Sequence, residues 1–169
     1  LKSFLDEITY PVYYLDYETS SSAVPVWNRT APYQQVPFQY SVHIKKDLHS
    51  EAEHFEYLHE AKDNPMDGLL EKLIKDIGDS GSVIVWNKSF EMDRNTEMAK
   101  YASEYEGFLS NINVRMIDLM DPFKDEAITD PAFRGSNSIK DVLPVMISNF
   151  SYNDLDIKDG GSAASEWKM

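Results

Sequence analysis

The sequence contains no cysteine. Disulfides, thiolate zinc sites and cysteine nucleophiles are therefore excluded, and any chemistry must come from oxygen and nitrogen side chains. Positive charge is scarce: 16 Lys and Arg stand against 29 Asp and Glu, a net charge of −13. A protein that grips long duplex DNA usually shows a basic footprint, so that class is disfavoured. An enzyme that holds a few nucleotides through metal ions remains compatible, because the ions bring their own positive charge. No apolar run approaches the ~20 residues of a membrane span, and the first residues lack the basic-then-apolar pattern of a signal peptide. The expectation is a cytoplasmic protein with no membrane partner. There are only four histidines. None of His43, His49, His54 and His59 stands at a metal-ligand spacing, and none is assigned a catalytic part.

What is present, at 169 residues and 42% hydrophobic, suits one domain with a real core. Its organising stretch is Tyr13-Tyr14-Leu15-Asp16-Tyr17-Glu18-Thr19. The alternation predicts a strand that places Asp16 and Glu18 on one face, roughly 7 Å apart. Two carboxylates side by side near a sheet centre repel and resist desolvation. A cation between them would relieve both, which suggests a metal site.

Along the chain, residues 1–10 read as a helical or irregular lead-in, followed by a strand over Val12–Glu18. Residues 24–37 carry three prolines, Trp27, Tyr33 and Arg29. Such a segment cannot be a regular helix and is long enough to be functional. Trp27 and Tyr33 could stack on a nucleobase or pack the loop against the sheet, and Arg29 could meet a phosphate. Phe38–Lys45 and Glu51–Glu60 alternate as a second and a third strand, antiparallel, the third near an edge. Asn64-Pro65-Met66-Asp67 opens a helix that Gly78 stops. Ser82–Trp86 reads as a strand covered on both faces. A helix follows from about Ser89 to Tyr105, with Gly107 as its breaker. Val114–Met120 is a further strand, Asp118 its capping or turn residue. Asp121, Asp125, Glu126 and Asp130 read as a solvated acidic face. Ser138–Leu143 is a capped helical turn limited by Pro144. Residues 149–162 read as a loop and 163–169 as the beginning of a helix. The fold class expected is α/β, a mixed sheet of three antiparallel strands followed by parallel strands, with helices on both faces.

That order is the ribonuclease H-like arrangement, and two motifs point to one branch of it. Leu15-Asp16-Tyr17-Glu18-Thr19 resembles the first motif of the DEDD (DnaQ-like) 3′–5′ exonucleases. Val85-Trp86-Asn87-Lys88-Ser89-Phe90-Glu91 resembles their second, with Glu91 where the family usually has Asp. Arg115-Met116-Ile117-Asp118-Leu119 is similar to a later strand of the family. The stretches 32–41 and 135–144 resemble a bacterial family of predicted DnaQ-like nuclease domains. The resemblance implies a metal-dependent exonuclease that acts on single-stranded nucleic acid or short oligonucleotides. It implies two Mg2+ or Mn2+ ions, held by Asp16, Glu18 and Glu91 as catalytic and metal residues. Asp16 would bridge both ions, Glu18 would serve the one nearest the attacking water, and Glu91 would approach the other. Thr19, Asn87 and Phe90 are the implied substrate-binding residues. Hard divalent ions call for oxygen ligands, which agrees with carboxylates rather than histidines.

The family's third motif, a Tyr or His followed by a fourth acid, has no clear match. Tyr152-Asn153-Asp154-Leu155-Asp156 comes too early in the pattern. The expectation is a single nuclease domain truncated before that motif, with other domains of a longer parent protein around it. The competing expectation is a catalytically degenerate nuclease-like binding or scaffolding module. A phosphotransferase on a doubly wound sheet is a third, disfavoured by the antiparallel opening strands.

Overall fold

A computed structural model describes residues 1–147 and 160–167. A five-residue helix α1 (Lys2–Asp6) leads into β1 (Val12–Ser20), β2 (Val36–Lys45) and β3 (Glu53–Leu58). Then come α2 (Pro65–Asp76), β4 (Ser82–Val85), α3 (Lys88–Tyr101), α4 (Glu106–Val114) and β5 (Met116–Asp118). The short α5 (Asp121–Lys124), α6 (Ile139–Met146) and α7 (Gly160–Trp167) follow, and 3-10 turns span Ser103–Tyr105 and Pro131–Phe133.

The five strands lie in the order β3-β2-β1-β4-β5. β1 pairs antiparallel with β2, and β2 with β3, while β1 with β4 and β4 with β5 are parallel. This is the ribonuclease H-like mixed sheet that the element order predicts. Its main core cluster lies on one face. Tyr13, Leu15, Tyr17, Tyr40, Val42, Val83 and Val85 alternate toward Met66, Leu69, Leu70 and Leu73 of α2, Met98 of α3 and Leu109 and Ile112 of α4. Period two on the strands meets period 3.6 on the helices, so each element buries one side. Trp86, one residue past Val85, heads a second aromatic group with Phe123 and Phe133, and its Nε1 donates to the Asn137 carbonyl at 3.1 Å. α7 packs on β1, with Trp167 stacked on Phe38 at 4.3 Å between ring centroids.

Local chemistry explains the helix starts. Asn64 accepts from the Met66 N–H, with Pro65 at the first position of α2, satisfying one orphan donor of the first turn. Ser138 caps α6 in the same way through the Lys140 N–H.

The structure corrects the sequence reading in several places. β1 and β2 are longer than expected, β3 is shorter, and β5 begins at Met116 because Val114 belongs to α4. α3 ends at Tyr101, and Gly107 does not break a helix but sits in the first turn of α4. Leu109 and Ile112 are buried from that helix, and their packing outweighs the weak helix propensity of one glycine. Asp121-Pro122 opens a short helix, with Pro122 in the first turn. Pro144 lies inside α6. The loop expected over 149–162 falls largely outside the described residues, as do Tyr152, Asp154 and Asp156; residues 160–162 belong to α7.

Candidate active site

Parallel pairing between β1 and β4 covers only Val12–Tyr14 against Ser82–Ile84. Beyond Tyr14 the two strands no longer pair, and the first turn of α3 approaches β1 there. Asp16 and Glu18 lie on β1 past that point. Glu91 comes from α3 and is only 2% exposed.

The three acids feel one another. The Glu91 carboxyl is pushed up to about 9, first by burial, then by the charge of Asp16, with Glu18 adding a smaller push. Arg94 and a backbone hydrogen bond from Tyr17 pull the other way and lose. Glu91 Oε2 is buried without a hydrogen-bond partner. Asp16 reaches solvent directly, yet crowding by surrounding protein raises its carboxyl too.

Asp118 positions the α3 turn. From the end of β5 its carboxylate accepts from the backbone N–H groups of Asn87 and Lys88, both at 3.0 Å. These are donors that a helix N-terminus leaves unpaired. Asn87 is left-handed, with φ 73°, a conformation asparagine tolerates better than most residues. Burial pushes the Asp118 carboxyl up, but hydrogen bonds from Lys124 and from the Met120, Lys88 and Asn87 backbones outweigh it and hold it below the usual range. Asp118 is therefore a capping residue, as its place in the sequence suggests. Lys124 also pairs with Asp121 at 3.4 Å.

A groove of about 800 Å3 opens beside these acids. Glu18, Thr19, Asn87 and Phe90 line it, together with Lys140 from α6 and Ala164 from α7. All three residues assigned to substrate binding thus share one groove with one of the acids. Thr19 donates to Gln35 Oε1 at 2.7 Å, and Asn87 Oδ1 accepts from the Ser89 hydroxyl at 2.8 Å.

The donor chemistry suits a hard divalent ion: oxygen only, with one buried oxygen lacking a partner. The ligand group is not closed, however. Among the described residues no cluster of three or more His, Asp or Glu side chains is placed to hold a metal ion.

Two parts of the site escaped the sequence reading. The Tyr17 hydroxyl donates to Asn95 Oδ1 at 2.9 Å, and Asn95 Nδ2 donates to Asn113 Oδ1 at 2.7 Å. This buried chain ties β1 to α3 and α4. Arg94 is buried over the Phe90 ring at 4.8 Å and pairs with Glu97 at 3.1 Å. The available signal was spacing: Arg94 and Asn95 fall three and four residues after Glu91 and share its helix face. The loop after β1 splits its aromatics. Trp27 packs on the core and donates to the Lys62 carbonyl, whereas Tyr33 is 72% exposed.

No helix of the described residues is long and apolar enough to cross a membrane. No solved structure matches the chain. "Uncharacterized protein MG366 homolog" of Mycoplasma pneumoniae is 29% identical over 167 residues, covering 89% of this chain and 25% of the relative. "Uncharacterized protein UU173" of Ureaplasma parvum is 31% identical over 157 residues, covering 85% and 22%. The chain thus spans about a quarter of the length of these curated relatives. Residues 13–138 match the model of the family described as "Domain of unknown function (DUF2779)", and the chain belongs to that family.

Proposed function

We propose that this chain is a DEDD-type nuclease domain of a longer protein, hydrolysing phosphodiester bonds at the 3′ end of single-stranded nucleic acid or short oligonucleotides. The observation that carries the reading is the mutual electrostatics of Asp16, Glu18 and Glu91. Three carboxylates from two elements meet in a ribonuclease H-like sheet, and burial first, then the charge of Asp16 with a smaller push from Glu18, raises Glu91 to about 9. Asp16 and Glu18 would hold divalent cations, Mg2+ or Mn2+, with Glu91 joining once it ionises. Such ions, when bound, supply Lewis-acid charge at the scissile phosphate and favour attack by water. The chain's own part is placement. Asp118 fixes the α3 turn, Tyr17 and Asn95 fix its distance from β1, and Thr19, Asn87 and Phe90 shape the groove for the terminal nucleotide. A cytoplasmic setting belongs to this proposal.

The test is digestion of a 5′-labelled single-stranded oligonucleotide by the intact protein in manganese. Stepwise shortening from the 3′ end is expected, lost in Asp16→Ala. Shortening that persists in Asp16→Ala would refute the site.

Two observations favour a second reading, a nuclease-like binding module. The acids do not close into a ligand group among the described residues, and Glu91 replaces the usual Asp. Calorimetry with manganese separates the two: no heat of binding with either the wild type or Asp16→Ala supports the module.

A further inference from the structure

A second cleft, of about 500 Å3, lies between the residue 24–37 loop and α3. Arg29, Tyr33 and Gln34 of the loop line it, facing Glu97, Lys100 and Tyr101 of α3. Neighbouring residues line the two clefts on both walls. Gln34 lines one and Gln35 the other. On α3, Phe90 of the groove touches Arg94, which pairs with Glu97 of the second cleft. Phe90 and Glu97 are seven residues apart on one helix face, roughly 10 Å at 1.5 Å per residue. A short single strand can cover that distance.

The lining has the chemistry of a nucleotide site. In a chain of net charge −13, it presents Arg29 and Lys100 against one lining acid, Glu97, which pairs with Arg94, while Asp67 hydrogen-bonds the Tyr101 side chain. Arg29 donates to the Tyr101 carbonyl and lies 4.8 Å over the Tyr101 ring, which fixes its guanidinium at the wall. Arg94 Nε and Glu97 Oε2 are buried without partners, so the divide between the clefts is not satisfied by its own packing. Tyr33 is presented rather than packed. It is 72% exposed and holds a left-handed backbone, φ 60°, which a bulky residue adopts only under constraint. Its N–H donates to the Ser22 carbonyl at 2.8 Å. An exposed aromatic face beside two cations matches a base with its phosphate.

We propose that this second cleft is a nucleotide subsite, seating an upstream base of a single strand on Tyr33 and its phosphate between Lys100 and Arg29. The proposal rests on the nuclease reading for the direction of the strand, but its test requires no turnover. Binding of a 5′-fluorescein single-stranded oligonucleotide to the full chain is read by anisotropy, with gels confirming that the oligonucleotide stays intact. Tyr33→Ala is expected to weaken binding about tenfold, and Tyr33→Phe to stay within about twofold. Lys100→Glu should also weaken binding and flatten its salt dependence. Tyr33 is on the surface, so these variants keep the core. Wild-type affinity in both Tyr33→Ala and Lys100→Glu overturns the subsite, and if metal-dependent digestion persists, the nuclease reading stands without it. Tyr33-dependent binding with no digestion leaves the subsite and removes the nuclease. An adenosine monophosphate competitor that binds as tightly as the oligonucleotide overturns the strand assignment in favour of a free-nucleotide site.

Discussion

The Tyr17 hydroxyl donates to Asn95 Oδ1 at 2.9 Å in the buried interior. Tyr17 stands between Asp16 and Glu18 on β1, and Asn95 stands one turn after Glu91 on α3. With the Tyr17 backbone bond to Glu91, this bond therefore ties together the two elements that carry the acids. Tyr17→Phe keeps the ring and removes the donor, leaving Asn95 Oδ1 buried and unsatisfied. The expected loss is about 1–3 kcal/mol, read from urea denaturation. If α3 also relaxes away from β1, manganese affinity falls severalfold in the same variant. Unchanged stability would mean that the bond does not hold the helix.

Glu91 makes the pH dependence specific. Its folded pKa, about 9, lies well above the ordinary Glu value of roughly 4.3. The folded state therefore keeps a proton that the unfolded chain loses. The favourable contribution is fully present below the unfolded value and is lost as pH rises through the folded one. Glu91→Gln cannot ionise, so it escapes that loss. The stability difference between Glu91→Gln and wild type should widen from pH 5 to pH 9, reaching about 2–3 kcal/mol in favour of the variant at pH 7. Denaturant titrations across that range in chelator measure it. Parallel curves for the two proteins would show that Glu91 is ionised in the fold.

Most of the fold was legible because its signals are local. Alternation in Tyr13–Glu18 and Phe38–Lys45 marked strands, and Asn64-Pro65 marked a helix start whose cap is seen in the structure. The apolar run Ser82–Trp86 gave the central parallel strand. Gly107 misled because propensity is weak where Leu109 and Ile112 can bury themselves. The shared face of Asp16 and Glu18 was legible from strand alternation, whereas the approach of Glu91 to them was legible only through motif spacing. The partners that set their geometry, Asn95 and Asp118, act through contacts 78 and 31 residues apart in sequence, and no local pattern encodes those. Trp27 and Tyr33 looked alike in sequence, and only burial separates the one that packs from the one that is presented.

Gly81 fixes the approach to the central strand. It has φ +84°, and a Cβ built there would stand 1.9 Å from the Pro11 carbonyl oxygen. That neighbour is backbone and cannot swing aside. Ser82, next in sequence, donates to the Thr9 and Pro11 carbonyls, so a shift would also strain the start of β4. Gly81→Ala should destabilise by about 3 kcal/mol or more, seen as a lower thermal midpoint. A midpoint equal to wild type would show that the segment 9–11 can retreat without loss.

Asp118 carries the last prediction. Its carboxylate satisfies the Asn87 and Lys88 N–H groups and pairs with Lys124 at 3.0 Å. Asp118→Ala removes these three interactions and the Met120 N–H bond, and orphans three backbone donors, two of them at the start of α3, for an expected loss of about 2–4 kcal/mol at pH 7. The sign with pH is opposite to that of Glu91. The folded Asp118 carboxyl is held low, so its contribution is present above the unfolded value of roughly 3.9 and disappears as pH falls through the folded one. The gap between wild type and Asp118→Ala should close in acid. Asp118 does not touch the groove, so at pH 7 the folded fraction of the variant should retain metal affinity in proportion to how well its α3 turn survives. A variant of full stability that loses all manganese binding would instead make Asp118 a ligand.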